Sequence, residues 1–225
     1  MKPFISIISC LDYARNGINQ AVRDTFLSNI SDVDYKFFLG DGTKVQESEK
    51  FKFSWEKRGS RYTDKPTDVE YISYTPQFDE IIVPVPDDYK HISFKTRESH
   101  RWALNQGYDF LFQSYSDVLI DVERLLQSGY ESMKYCGGEN GGGYWLNRDS
   151  LEITANSEVT SWNDDGWVRD MLGNHGIDLV VDPRYGAFPT LPKPNNNVIT
   201  SHLCISPEVY TADKMLTSYK QSKEI

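Results

Sequence analysis

Short apolar runs alternate along the chain with stretches of helical spacing. Residues 4–9, Phe-Ile-Ser-Ile-Ile-Ser, form a β-branched run that predicts a buried strand. Residues 16–29 place Ile18, Val22, Thr25 and Phe26 on one side of a predicted helix. Residues 35–39 predict a second strand, closed by the turn signal Gly40-Asp41-Gly42. Residues 43–78 are polar with little periodicity and read as a variable insertion, with one helix at 45–53. Residues 80–85 predict a third strand, with Pro84 and Pro86 at its close. Residues 92–106 predict a helix with Phe94, Trp102 and Leu104 among its buried positions, stopping at Gly107. A fourth strand follows at 109–113, and Asp121 opens a helix through Leu126, where an acid suits the helix dipole. Residues 135–147 hold five glycines and end in Tyr144-Trp145-Leu146, after which Asp149 is placed to cap a helix. A short helix at 164–172, a strand at 178–181 and a terminal helix from Ser206 complete the pattern. Strands alternating with helices predict an α/β layered sheet. With no internal repeat, low-complexity tract or linker, residues 1–225 read as one domain.

Composition narrows this picture. The 225 residues are enough to bury a core, and 39% hydrophobic with 25% charged residues is ordinary for a globular chain. A formal net charge of −9 argues against a protein that grips nucleic acid through its phosphates. The basic strip at residues 90–101 is local enough to hold a phosphate-bearing ligand, and charge alone leaves a polynucleotide acceptor open. The 14 tyrosines and 5 tryptophans suit a wet cleft where rings pack on a sugar or base, although most rings in any fold fill the core. Cys10, Cys136 and Cys204 have neither zinc spacing nor a disulfide framework, which favours a reducing, cytoplasmic compartment. The apolar run at 4–10 is too short to span a bilayer and lacks a signal-peptide layout, so no membrane anchor is expected.

Ligands of open α/β sheets sit beyond the carboxyl ends of the strands. Two such ends carry chemistry: Asp12 and Arg15 after the first strand, and Tyr115-Ser116-Asp117 after the fourth. An aspartate there can ligate a hard cation such as Mg²⁺ or Mn²⁺, although an aspartate in a turn more often caps the next helix. Asp164 and Asp165, flanked by Trp162 and Trp167, open a helix, where one can cap while the other acts as a general base. His202 lies in an apolar run, as a core histidine or a metal ligand. The glycines at 137–143 match neither a P-loop nor a dinucleotide fingerprint, leaving a flexible turn or close backbone approach to a ligand.

Taken in order, several stretches resemble the β-1,3-glycosyltransferase superfamily that includes galactosyltransferases, N-acetylglucosaminyltransferases and Fringe. They begin with Arg15 and Arg23-Asp24-Thr25-Phe26, then Phe37-Phe38-Leu39-Gly40, Ser93-Phe94-Lys95-Thr96 and Trp102-Ala103. Gln113-Ser114-Tyr115-Ser116-Asp117 falls on the family's acidic triplet, and Tyr135-Cys136-Gly137-Gly138 with Gly142-Gly143-Tyr144 on its glycine stretch. Asn163-Asp164-Asp165-Gly166-Trp167-Val168 and Ile199-Thr200-Ser201-His202 are similar to its late acidic and histidine motifs. The similarity covers nearly the whole chain except residues 43–78.

The resemblance implies a single GT-A domain with a Rossmann-like mixed sheet flanked by helices. It implies Asp117 and His202 as ligands of Mn²⁺ or Mg²⁺, and Asp165, with Asp164 second, as the catalytic base. Arg15, Lys95, Tyr115 and Asp117 become candidates for nucleotide or phosphate contact. The expected activity is inverting transfer of a hexose or pentose from a nucleoside-diphosphate donor, UDP-sugar first, to a glycan, glycoprotein or other hydroxyl acceptor. The chain departs from the family where two of the three acids are Tyr115 and Ser116, which suggests changed nucleotide contacts. That departure supports a rival reading, a degenerate GT-A domain that binds glycan or nucleotide without catalysis. A nucleotidyltransferase, releasing pyrophosphate, is a third. Compact length and the absent anchor differ from the family's Golgi members and fit a cytosolic enzyme of a bacterium or a virus-infected cell.

Overall fold

A computed structural model describes residues 1–28, 30–58, 74–139, 141–187, 190–203 and 210–224. The first strand, β1 (Pro3–Ile8), is buried on both faces, with Phe4 and Ile8 in one hydrophobic cluster and Ile5 and Ile7 in another. It is central because both faces are apolar, as a parallel strand between two helical layers requires. β2 (Asp34–Gly40) and β3 (Glu80–Val83) extend the sheet on one side, and β4 (Phe110–Tyr115) pairs parallel with β1 on the other. Beyond β4 the sheet turns antiparallel through β7 (Tyr144–Asn147) and β6 (Tyr135–Gly137), and β8 (Val180–Val181) ends it. The seven-stranded order is β3-β2-β1-β4-β7-β6-β8. A second sheet of three short strands, β5 (Val118–Ile120), β10 (Thr200–His202) and β9 (Tyr185–Ala187), packs beside it.

The helices are α1 (Leu11–Arg15), α2 (Ile18–Arg23), α3 (Glu49–Glu56), α4 (Ile92–Asn105), α5 (Val122–Leu126), α6 (Arg148–Asn156), α7 (Asp164–Gly173) and α8 (Ala212–Ser222). The single helix expected at 16–29 is instead two. Gly17 takes a left-handed conformation (φ 77°) between α1 and α2, and turns replace the helix after Arg23. The insertion helix starts later than expected because Ser48 caps it, accepting from the Phe51 amide. Asn147, not Asp149, caps α6, while Asp149 lies in its first turn. The terminal helix begins at Ala212 behind the Thr211 cap, and the expected start at Ser206 lies outside the described residues, as do residues 59–73 and Cys204.

Packing accounts for one glycine of this segment. A Cβ at Gly143 would stand 2.4 Å from Phe112 Cζ and 2.8 Å from the Gln113 carbonyl oxygen, at a φ of +91°. The close approach is therefore to the protein's own β4. Gly143→Ala is expected to cost about 2 kcal/mol or more, from clash and left-handed strain together. Urea unfolding of the variant checks this.

Candidate active site

Two short strands bring distant parts of the chain together at the carboxyl end of β4. After Tyr115 the chain turns through Ser116-Asp117 into β5, which pairs antiparallel with β10 so that Val118 faces His202. The Leu203 amide donates to the Asp117 carbonyl oxygen at 2.8 Å and locks that register. The Asp117 carboxylate consequently meets the His202 imidazole, with Nε2 and Oδ2 3.3 Å apart and both side chains partly exposed. Gly141 (φ +71°) lies against the other edge of the ring, where a Cβ would come within 3.0 Å of Nδ1.

α7 delivers the second half of the site. Asn163 caps it, and the first turn carries Asp164 and Asp165, where the helix dipole favours negative charge. Asp164 is buried, and its Oδ2 accepts from Tyr115 (2.6 Å) and from Thr96 Oγ1 (3.0 Å). Asp165 is half-buried and accepts from the same Tyr115 hydroxyl at 2.9 Å. One phenol has one proton to give, so it serves one carboxylate at a time unless the other is itself protonated. Burial raises the proton affinity of both acids. For Asp165 the nearby Asp164 charge adds to it, against smaller opposing effects of Tyr115, His202 and Arg169, and the result is a carboxyl pushed up to about 7. The influence of His202 on Asp165 also brings the acid pair and the Asp117–His202 pair within electrostatic reach of one another.

Of the residues singled out from the sequence, Tyr115 is hydrogen-bonded to Asp164 and Asp165, and Asp117 to His202, with both groups reached from the end of β4. Ser116 is buried, and its hydroxyl donates to Asn19 Oδ1. Arg15 is exposed in the last turn of α1. Lys95 is placed differently from the expectation of a phosphate contact. Its ammonium is buried and donates to the Ser9 carbonyl oxygen and to Asp87, both at 2.6 Å. Asp87 in turn accepts from the amides of Leu11 and Gly40, so the ion pair fastens the ends of β1 and β2 together. Lys95→Ala leaves a buried, uncompensated aspartate and is expected to cost about 3–5 kcal/mol, read by chemical denaturation.

Sequence reasoning missed two contributors. Thr96 was visible only as part of a family-like run, although its hydroxyl positions Asp164. Tyr144 is fully buried beside the acid pair, and its hydroxyl lacks a hydrogen-bond partner among the described residues. Its signal was hidden because it reads as an ordinary strand aromatic.

The donor set suits a hard or borderline divalent ion: one carboxylate oxygen and one imidazole nitrogen, close together and accessible. Among the described residues no group of three or more His, Cys, Asp or Glu could hold a metal. An ion here would take its remaining ligands from a diphosphate and water, the usual arrangement for Mg²⁺ at substrate phosphates.

The mixed seven-stranded sheet flanked by helices is the GT-A fold of nucleotide-sugar glycosyltransferases. The chain is similar to a glycosyltransferase involved in the glycosylation of the major capsid of PBCV-1, at 11% identity and a TM-score of 0.51, over 98% of this chain and 100% of that one. Galactosyltransferase LgtC in complex with donor and acceptor sugar analogs aligns at 12% identity and a TM-score of 0.44, covering 99% and 97% of the two chains. Glycosyltransferase GlyE in Streptococcus pneumoniae TIGR4 aligns at 12% identity and a TM-score of 0.47, covering 97% of this chain and 60% of that one. No protein-family model matches the chain, and no curated protein matches it. The first of these likenesses speaks for the GT-A fold and not for the β-1,3 superfamily in particular. No helix among the described residues is long and apolar enough to cross a membrane.

Proposed function

We propose that the chain is a metal-dependent, inverting glycosyltransferase that moves a hexose or pentose from a nucleoside-diphosphate donor, with UDP the first nucleotide to test, to a hydroxyl acceptor. The observation that carries this reading is the Asp117–His202 pair just beyond β4, the strand whose Tyr115 hydroxyl holds the Asp164–Asp165 pair. Asp165 takes the acceptor's hydroxyl proton as that oxygen attacks the anomeric carbon. The bond from that carbon to the diphosphate oxygen breaks on the opposite face, and the nucleoside diphosphate leaves. Asp117 and His202 are the residues that would hold Mn²⁺ or Mg²⁺, which supplies positive charge at the departing diphosphate. Tyr115 and Thr96 orient the acid pair from β4 and α4. Tyr115 stands where the resembled family has an acid and is bound to the acid pair. That placement favours the second reading, a GT-A domain that binds sugar nucleotide or glycan without catalysis. Incubation with a panel of nucleotide-sugars and Mn²⁺ separates the two: release of nucleoside diphosphate is expected, and tight binding with no release supports the binding module.

A further inference from the structure

Trp162 ends the loop that leads into α7, and two contacts to α4 set its distance from the acid pair. Ser93 Oγ donates to the Trp162 carbonyl oxygen at 2.8 Å, and Thr96 Oγ1 donates to Asp164 at 3.0 Å. Ser93 and Thr96 are three residues apart on one helix, about 4.5 Å along its axis. α4 runs from β3 to β4, and both are parallel to β1, so its first turn lies at the ligand-bearing end of the sheet. The Trp162 backbone is therefore held about one helical turn nearer that end than the Asp164 carboxylate.

The ring has aromatic neighbours. Tyr89 lies 5.9 Å from it between ring centres and Trp55 lies 5.8 Å away, edge-on. Trp55 is buried, Trp162 is half-buried and Tyr89 is 51% exposed, so part of the Tyr89 ring reaches solvent. A hydrogen bond between the hydroxyls of Ser54 and Ser161 (2.9 Å) pins α3 to the same loop. Rings held this firmly lose little freedom when a ligand packs on them. A pyranose offers a C–H face that stacks on aromatic surface while its hydroxyls stay wet. Bases stack on such rings too, but a net charge of −9 opposes a polynucleotide chain.

We infer that Tyr89 and Trp162 form an acceptor-side subsite for a carbohydrate chain, stacking a sugar ring next to the one whose hydroxyl is attacked. This rests on Asp165 being the acceptor's base. The test measures nucleoside diphosphate release with linear hexasaccharides of β-1,4-glucose, α-1,4-glucose, β-1,4-mannose and β-1,4-N-acetylglucosamine, alongside saccharide binding by tryptophan fluorescence. At least one saccharide is expected to bind and to accelerate release. Tyr89→Ala should raise its KM about tenfold with kcat held at saturation, and Tyr89→Phe should restore the KM. Because Trp162 also packs on Trp55, its variants Trp162→Phe and Trp162→Ala are compared only after their unfolding midpoints are measured. An unchanged KM in Tyr89→Ala, or donor turnover that no saccharide binds to or accelerates, overturns the subsite. Saccharide binding that depends on Tyr89 without any donor turnover keeps the subsite and removes the catalytic reading.

Discussion

Asp165→Asn is expected to lower sugar transfer by about 10²–10⁴-fold, the usual contribution of a positioned general base, while leaving donor affinity close to its original value. The amide keeps the shape of the side chain and its place in the first turn of α7 but has no basic oxygen. The pH profile carries the same information. A base pushed up to about 7 is protonated below neutrality, so kcat/KM should rise as pH passes through 7 and then level off. Stability runs the opposite way. The native carboxyl keeps its proton across roughly pH 4–7, where the unfolded chain has lost it, so the folded state binds more protons there. The contribution of this group to stability therefore falls as pH rises from about 4 to about 7, and above that the charged, half-buried acid is a standing cost. Asp165→Asn should accordingly be more stable than the parent at pH 8, by roughly 1–3 kcal/mol. An inactive variant that is also less stable would indicate a structural acid, not a base. Full turnover in the variant would remove Asp165 from the mechanism.

His202→Ala and Asp117→Ala are expected to abolish the Mn²⁺ dependence of donor binding and to reduce turnover by about 10²-fold or more, since each removes half of the protein's ligand set. With only two protein ligands, the ion should bind weakly by itself and much more tightly with a nucleoside diphosphate present. Calorimetric titration of Mn²⁺ with and without UDP reads this coupling. Equal Mn²⁺ affinity in the parent and in His202→Ala would place the ion elsewhere.

The long elements were visible in the sequence because their physics is local. The runs that became β1, β2 and β4 are apolar on both faces, and α4 carries its buried positions at helical spacing. The second sheet was invisible. β5, β9 and β10 have three residues each, too short for a period to show. Yet that sheet is what joins Asp117 to His202, so their proximity followed only from the family resemblance. Lys95 was misjudged because a sequence cannot tell a lysine reaching for phosphate from one answering a buried aspartate 8 residues away. The glycines pointed to close approach, and at Gly143 the partner is β4.

Residue 202 reaches residue 117 only by closing the three-stranded sheet, 85 positions further along the polypeptide. A ribosome-bound fragment that already displays a finished Rossmann-like half would carry Asp117 without its histidine partner. The pair proposed to hold an ion is thus complete only once β10 has paired with β5.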